Sequence, residues 1–215
     1  MRAVFFDLDG VLVDTSYYHY LAWKKVFDEL GGVVSEETVF LQEGRNSREI
    51  LPILIEESGV SLPAEEFDDF IERKRVYYQQ IVNIKFYDGV TDVLRRLKSE
   101  NFRLGVVTAS ARKTMERSLS EDQRSMFDLI QTGDDVVKSK PSPEPYDLAR
   151  KKLGLERKDC LVVENAPLGI TSAKRAGMKC VAVQTTLRKE FLKDADYIIS
   201  NIKELLKLPI INHKI

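Results

Sequence analysis

"FFDLDGVLVDT", residues 5–15, sets three aspartates within eight positions against the end of an apolar run. If the run is a buried strand, its end delivers Asp7 and Asp9 to the edge of a sheet. Side chains two apart on a strand share a face, so both carboxyls can reach one centre. Runs of the same kind recur at 3–7, 103–108, 128–132, 160–164 and 180–185, with a weaker one at 197–200. They are near-continuous rather than alternating, the pattern of strands covered on both faces by crossover helices. Helical stretches are predicted between them at 89–100, 111–120, 144–154 and 167–176, the last two closed by Gly154 and Gly177. The fold class is therefore α/β, a doubly wound parallel sheet.

One segment breaks the alternation. Residues 15–86 carry no strand signal, and Tyr20, Trp23, Phe27 and Leu30 recur at helical spacing before Gly31-Gly32. A second helix is predicted from Asn46, with Glu49 three residues on as in a capping box, although Pro52 argues against its continuation. A third follows Pro63, with Phe67, Ile71, Tyr78 and Ile81 as its apolar stripe. The expected organisation is an α/β core of 1–14 and 87–215 interrupted by an inserted helical domain, 15–86.

Composition narrows the function. Thirty-three basic and 34 acidic residues leave a net charge of −1, so the overall balance points neither to nucleic acid nor to a basic membrane-binding surface. No apolar run approaches the roughly 20 residues of a membrane span, and Asp7 and Asp9 interrupt any leader-like start, so a cytoplasmic location is expected. Cys160 and Cys180 sit beside or within apolar runs and read as buried core thiols, not a disulfide.

Ligands of an open parallel sheet bind beyond the carboxyl ends of its strands. Four such ends bring Asp7 and Asp9, then Thr108 and Ser110, then Lys140, then Glu164 and Asn165. Clustered carboxyl oxygens without His or Cys suit a hard cation such as Mg2+. A hydroxyl followed by the backbone N–H groups of a helix start suits an anion, and Lys140 adds a positive point charge. Cation and lysine about one anion suggest phosphate. A carboxylate held there can attack phosphorus to give an aspartyl-phosphate, and a second one can serve as general acid and base.

"FDLDGVLVDT", "VVTAS", "SKPSPEPY" and "VVENAPLGITSAKRAG" resemble, in order and spacing, the four motifs of the haloacid dehalogenase superfamily, over nearly the whole chain. The helical insert resembles the cap of its β-phosphoglucomutase-like branch. That resemblance implies Asp7 as nucleophile, Asp9 as general acid/base, and Thr108, Ala109 and Ser110 as the phosphate-binding stretch. It makes Lys140 the neutralising cation. Asp7, the Asp9 carbonyl and the acidic end of "VVEN", Glu164 with Asn165, would hold Mg2+. Members of this branch commonly have Glu-Asp where this chain has Glu164-Asn165, and an amide adds no charge to a metal site. A phosphate binder without turnover would tolerate that change, but it has no use for two repelling carboxyls at an anion site. A receiver domain shares the sheet and an acidic Mg2+ site, yet lacks a large helical insert after its first strand.

In the cap, the same resemblance implies that His19 assists Asp9 and that Lys74 meets a distal phosphate. Arg45 and Arg48 lie in the segment resembling the specificity loop, but do not align with the mutase's phosphate-binding arginine. Trp23 reads as packing. Asp14 reads as a brace of the hinge or a cap of the first helix. The cap is expected to move on linkers near Asp14-Thr15 and Phe86-Tyr87, shutting water from the site. The expected activity is Mg2+-dependent hydrolysis of a small phosphorylated metabolite, a phosphomonoester such as a sugar phosphate. Phosphomutase is the alternative.

Overall fold

All six apolar runs form strands in the computed structural model, which describes residues 1–212. The strands β1 (Ala3–Phe6), β2 (Arg103–Val107), β3 (Leu129–Gln131), β4 (Cys160–Glu164), β5 (Lys179–Val183) and β6 (Tyr197–Ile199) pair in parallel in the order β3-β2-β1-β4-β5-β6. Most end one or two residues before the apolar run does, because Asp7, Thr108 and Thr132 turn out of the ladder above the sheet edge. Alternate residues feed two cores: Ala3, Phe5 and Val162 pack on one face of the sheet, and Val4, Phe6 and Val163 on the other. That is why the runs are apolar throughout. β1 lies in the middle with β2 and β4 at its sides, so the chain reverses its winding direction beside Asp7, the usual ligand-binding point of such sheets.

The insert holds four helices, α1 (Ser16–Asp28), α2 (Glu36–Leu41), α3 (Ser47–Ser58) and α4 (Phe67–Ile81). α2 is too short for a periodicity to reveal. Its marker is local, Ser35 accepting from the Thr38 N–H at 3.0 Å. Asn46 caps α3 by accepting from the Arg48 and Glu49 N–H groups. Pro52 does not end that helix: it is exposed, so the Arg48 carbonyl it leaves without an N–H faces the solvent side. Leu30 falls beyond the end of α1 and is exposed, as is Ile81 at the last position of α4, so neither extends the apolar stripe.

Of the core helices among the described residues, α5 (Val90–Ser99), α6 (Arg112–Ser118), α7 (Glu121–Arg124), α8 (Glu144–Lys152), α9 (Pro167–Arg175) and α10 (Pro209–Asn212), α7 and α10 lay outside the sequence pattern; a Ser120–Gln123 capping box starts α7. Two strands of linker run side by side between insert and sheet. The Asp14 N–H donates to the Lys85 carbonyl at 2.9 Å, and the Tyr87 N–H to that of Leu12 at 3.0 Å. The Tyr87 hydroxyl donates to the Asp14 carboxylate at 3.0 Å, so Asp14 is the brace and not the helix cap. Cys160 and Cys180 are buried and unpaired.

Candidate active site

The turn after β1 shapes the floor of the site. The Leu8 carbonyl accepts from the N–H groups of Leu12 and Val13 at 2.9 and 3.1 Å, coiling residues 8–13 back under the sheet edge. Gly10 makes the coil possible: its φ is +79°, and a Cβ there would lie 2.1 Å from the Asn165 amide nitrogen.

Lys140, 1% exposed, organises the core side. Its ammonium donates to the Asp7 carboxylate at 2.6 Å, to Glu164 at 2.7 Å and to the Val107 carbonyl at 3.0 Å. The Tyr146 hydroxyl donates to the same Glu164 oxygen, and the other accepts from the Asn165 N–H at 3.2 Å. Burial pushes the Asp7 carboxyl up, Lys140 opposes it, Glu164 and Asp9 reinforce it, and the net result is about 7. Burial pulls the Lys140 ammonium down, but Asp7 and Glu164 outweigh it and hold it above its usual value.

Asp9 belongs to the other side. It accepts from the hydroxyls of Thr15 and, at 2.9 Å, Ser110, and faces His19 Nε2 at 3.3 Å. His19 Nδ1 lies 2.8 Å from the Lys74 ammonium, and the imidazole stacks on Tyr78 with centroids 4.1 Å apart. With Lys74 donating to Nδ1, the network assigns the proton of neutral His19 to Nε2, aimed at Asp9. Burial disfavours charge on Asp9, yet His19 and the two hydroxyls outweigh it and hold the carboxyl at about 2. Burial and then Lys74 keep His19 below its ordinary value, so the imidazole is neutral there and faces Asp9 with Nε2–H beside the two hydroxyl donors. Lys74 is 4% exposed, with its ammonium 5.1 Å from the Trp23 ring centroid, and burial draws it down to about 7. It meets His19, therefore, and does not snorkel.

Asp7, Asp9, His19, Lys74, Thr108, Ala109, Ser110 and Arg45 share one cleft of about 530 Å3. Thr108 and Ser110 do not cap α6. The Thr108 hydroxyl accepts from the Ser110 N–H at 3.0 Å, shaping the loop at the mouth of β2. Arg45 is engaged inside the cap, with Gln42 at 2.8 Å and Glu49 at 3.9 Å. Arg48 pairs with Asp68, and Arg75 with Glu72 at 3.3 Å. Trp23 is 3% exposed and packs as expected, but it also walls the cleft.

Glu43 is the residue that sequence reasoning passed over. Its carboxylate reaches from the cap to accept from the Asn165 amide at 2.6 Å, a contact spanning 122 residues. Burial, with Asp7 and Asp9 nearby, pushes this carboxyl well above its ordinary range. Asn165 is fully buried; its Nδ2 also donates to the Thr186 hydroxyl at 3.1 Å, while its Oδ1 has no partner.

A divalent cation fits these residues. Among the described residues no three His, Cys, Asp or Glu side chains converge into a cage, so donors must come partly from elsewhere. The Asp7 carboxylate, the Asp9 carbonyl and the unpartnered Asn165 Oδ1 are the oxygens that could hold it, and oxygen donors are what Mg2+ prefers. Among the described residues, Lys140 is the cation paired with both Asp7 and Glu164. Glu164, expected as a ligand, accepts from Lys140 and Tyr146 on one oxygen and from the Asn165 N–H on the other.

This sheet, its inserted helices and the Asp7–Lys140–Glu164 arrangement define a phosphatase of the haloacid dehalogenase type. The chain belongs to the haloacid dehalogenase-like hydrolase family, whose family model matches residues 4–183, and to its phosphoglucomutase-like branch. It is 30% identical to the validoxylamine A 7'-phosphate phosphatase of Streptomyces hygroscopicus subsp. limoneus, over 95% of each chain. It is 33% identical to the phosphorylated carbohydrates phosphatase of Thermotoga maritima, over 83% of each. The crystal structure of beta-phosphoglucomutase from Clostridium difficile superposes with a TM-score of 0.82 at 29% identity, covering 95% of this chain and 93% of that one. Among the described residues no helix is long and apolar enough to cross a membrane.

Proposed function

We propose that the protein is a Mg2+-dependent phosphohydrolase that cleaves a small phosphomonoester, a sugar phosphate in particular, through a phosphoryl group carried on Asp7. The observation that carries hydrolysis over phosphomutase is the state of the cap cations: Arg45, Arg48 and Arg75 line the cleft, and each is paired with a carboxylate or amide of the cap. A mutase must hold a second phosphate while its bisphosphate intermediate turns round, and these arginines are already engaged. The same polar wall suits the hydroxyls of a sugar, and two relatives are named for phosphorylated, sugar-like substrates.

The steps follow from the residues. The Asp7 carboxylate attacks phosphorus, and the ester P–O bond breaks. Asp9 protonates the departing oxygen. Asp9 starts ionised, so the phosphate placed against it draws the proton along the Lys74–His19 chain. Asp9 then removes a proton from water as that water attacks phosphorus, releasing inorganic phosphate and restoring Asp7, and the proton returns through His19 to Lys74 so that Asp9 is again ionised. Lys140 offsets the negative charge on Asp7 and on the transferring group, while the Thr108 hydroxyl and the Ala109 N–H would hold the phosphoryl oxygens. Bound Mg2+ would supply a Lewis acid at those oxygens. The test is phosphate release from a panel of sugar phosphates with and without Mg2+, beside conversion of β-glucose 1-phosphate to glucose 6-phosphate. Release that requires Mg2+ is the expected result; isomer formation without release would overturn hydrolysis.

A further inference from the structure

Asn165 poses a problem that the core cannot solve by itself. A buried side-chain amide can present either its oxygen or its nitrogen to a cation, and only the oxygen is a ligand. Its nitrogen, as placed, meets two oxygens. Thr186, from the core, and Glu43, from the cap, both take Nδ2, at 3.1 and 2.6 Å, and leave the fully buried Oδ1 without a partner. A turned amide would set its oxygen against the Glu43 carboxylate. The cap loop is shaped for this contact. Gly44, with φ +103°, lies so close over Lys140 that a Cβ would sit 3.0 Å from the lysine's own Cβ, so residues 43–44 dock directly on the core machinery.

We propose that Glu43 is a cap-borne positioning residue of the divalent-cation site: seated on the Asn165 amide nitrogen, it fixes Oδ1 as the atom left free for a cation. This rests on the Mg2+-dependent reading above. Cap seating and cation binding are then linked, and by reciprocity each favours the other. Outer partners of metal ligands commonly set affinity in this way, because they fix the donor atom's direction.

The test uses the full chain with Mn2+ as the probe, its affinity read by electron paramagnetic resonance. Glu43→Ala should weaken binding ~10–100-fold, and Glu43→Gln, which keeps volume and an acceptor oxygen but not the charge, should fall between. Asn165→Asp should remove the dependence, because a carboxylate presents oxygen either way; adding Glu43→Ala to it should leave affinity unchanged or improve it by relieving repulsion. Equal losses from Glu43→Ala in both backgrounds would overturn the proposal, since a purely structural role does not depend on residue 165. So would unchanged Mn2+ affinity in Glu43→Ala and Glu43→Gln, and the phosphatase reading would survive that result. Wild-type chain that binds no Mn2+ would overturn both.

Discussion

Asp7 and Asp9 stand two residues apart on one turn, yet they live in different halves of the molecule. Asp7 faces groups delivered by the sheet: Lys140, and through it Glu164 and Tyr146. Asp9 faces Thr15 and His19 of the insert, with Ser110 as its one contact from a strand end. Burial with Glu164 and Asp9 raises the first to about 7, and hydrogen bonds and His19 lower the second to about 2. Two carboxyls whose surroundings push them apart can take different roles. In the proposed reaction the core side would take the cation and the transferring phosphoryl group. The cap side would carry the proton.

Substitutions that separate the two halves can break this comparison. Asp7→Asn should abolish turnover, a loss of at least ~10^4, and should end incorporation of labelled phosphate into quenched protein. Hydrolysis that persisted would remove Asp7 from the nucleophile's role. Asp9→Asn should cost ~10^2–10^4 in rate while still allowing Asp7 to be labelled by a substrate with a good leaving group. Loss of labelling and turnover together would instead join the two carboxyls in one role.

Lys140→Met should destabilise the fold by ~3–5 kcal/mol, because it leaves Asp7 and Glu164 buried against each other. Denaturant unfolding reads this; an unchanged midpoint would show that water reaches the pair. Lys74→Met should do the opposite for stability, a gain of ~1–3 kcal/mol at pH 6, while slowing turnover. The sign follows from its folded value of about 7, below the 10.5 of an unperturbed lysine, so proton uptake favours the unfolded chain. The penalty is full below about 7 and fades as pH rises toward 10.5, and the gain from methionine should fade with it. A gain independent of pH would point to packing alone.

Much of the core side was legible in the chain. Asp7, Thr108, Lys140 and Glu164 each follow an apolar run, and parallel topology brings strand ends together whatever the loops do. The cap side was legible where a helix carried the pattern, as with Lys74 on the stripe of α4. It was not legible where elements were short or contacts crossed. α2 has six residues, less than two turns, and Glu43 follows it in a loop whose arginines drew attention instead. That Glu164 accepts from Tyr146 of α8 and from Lys140 was likewise not legible.

Residue order by itself determined the sheet, the insertion point and the edge on which the polar groups gather. Those follow from local periodicity and from the rule that parallel strands end on one side. Only the tertiary structure decided which oxygen is free. The meeting of Glu43 with Asn165, and of His19 with Asp9, depends on how the insert packs against the sheet edge, and no spacing along the chain encodes a distance set by that packing.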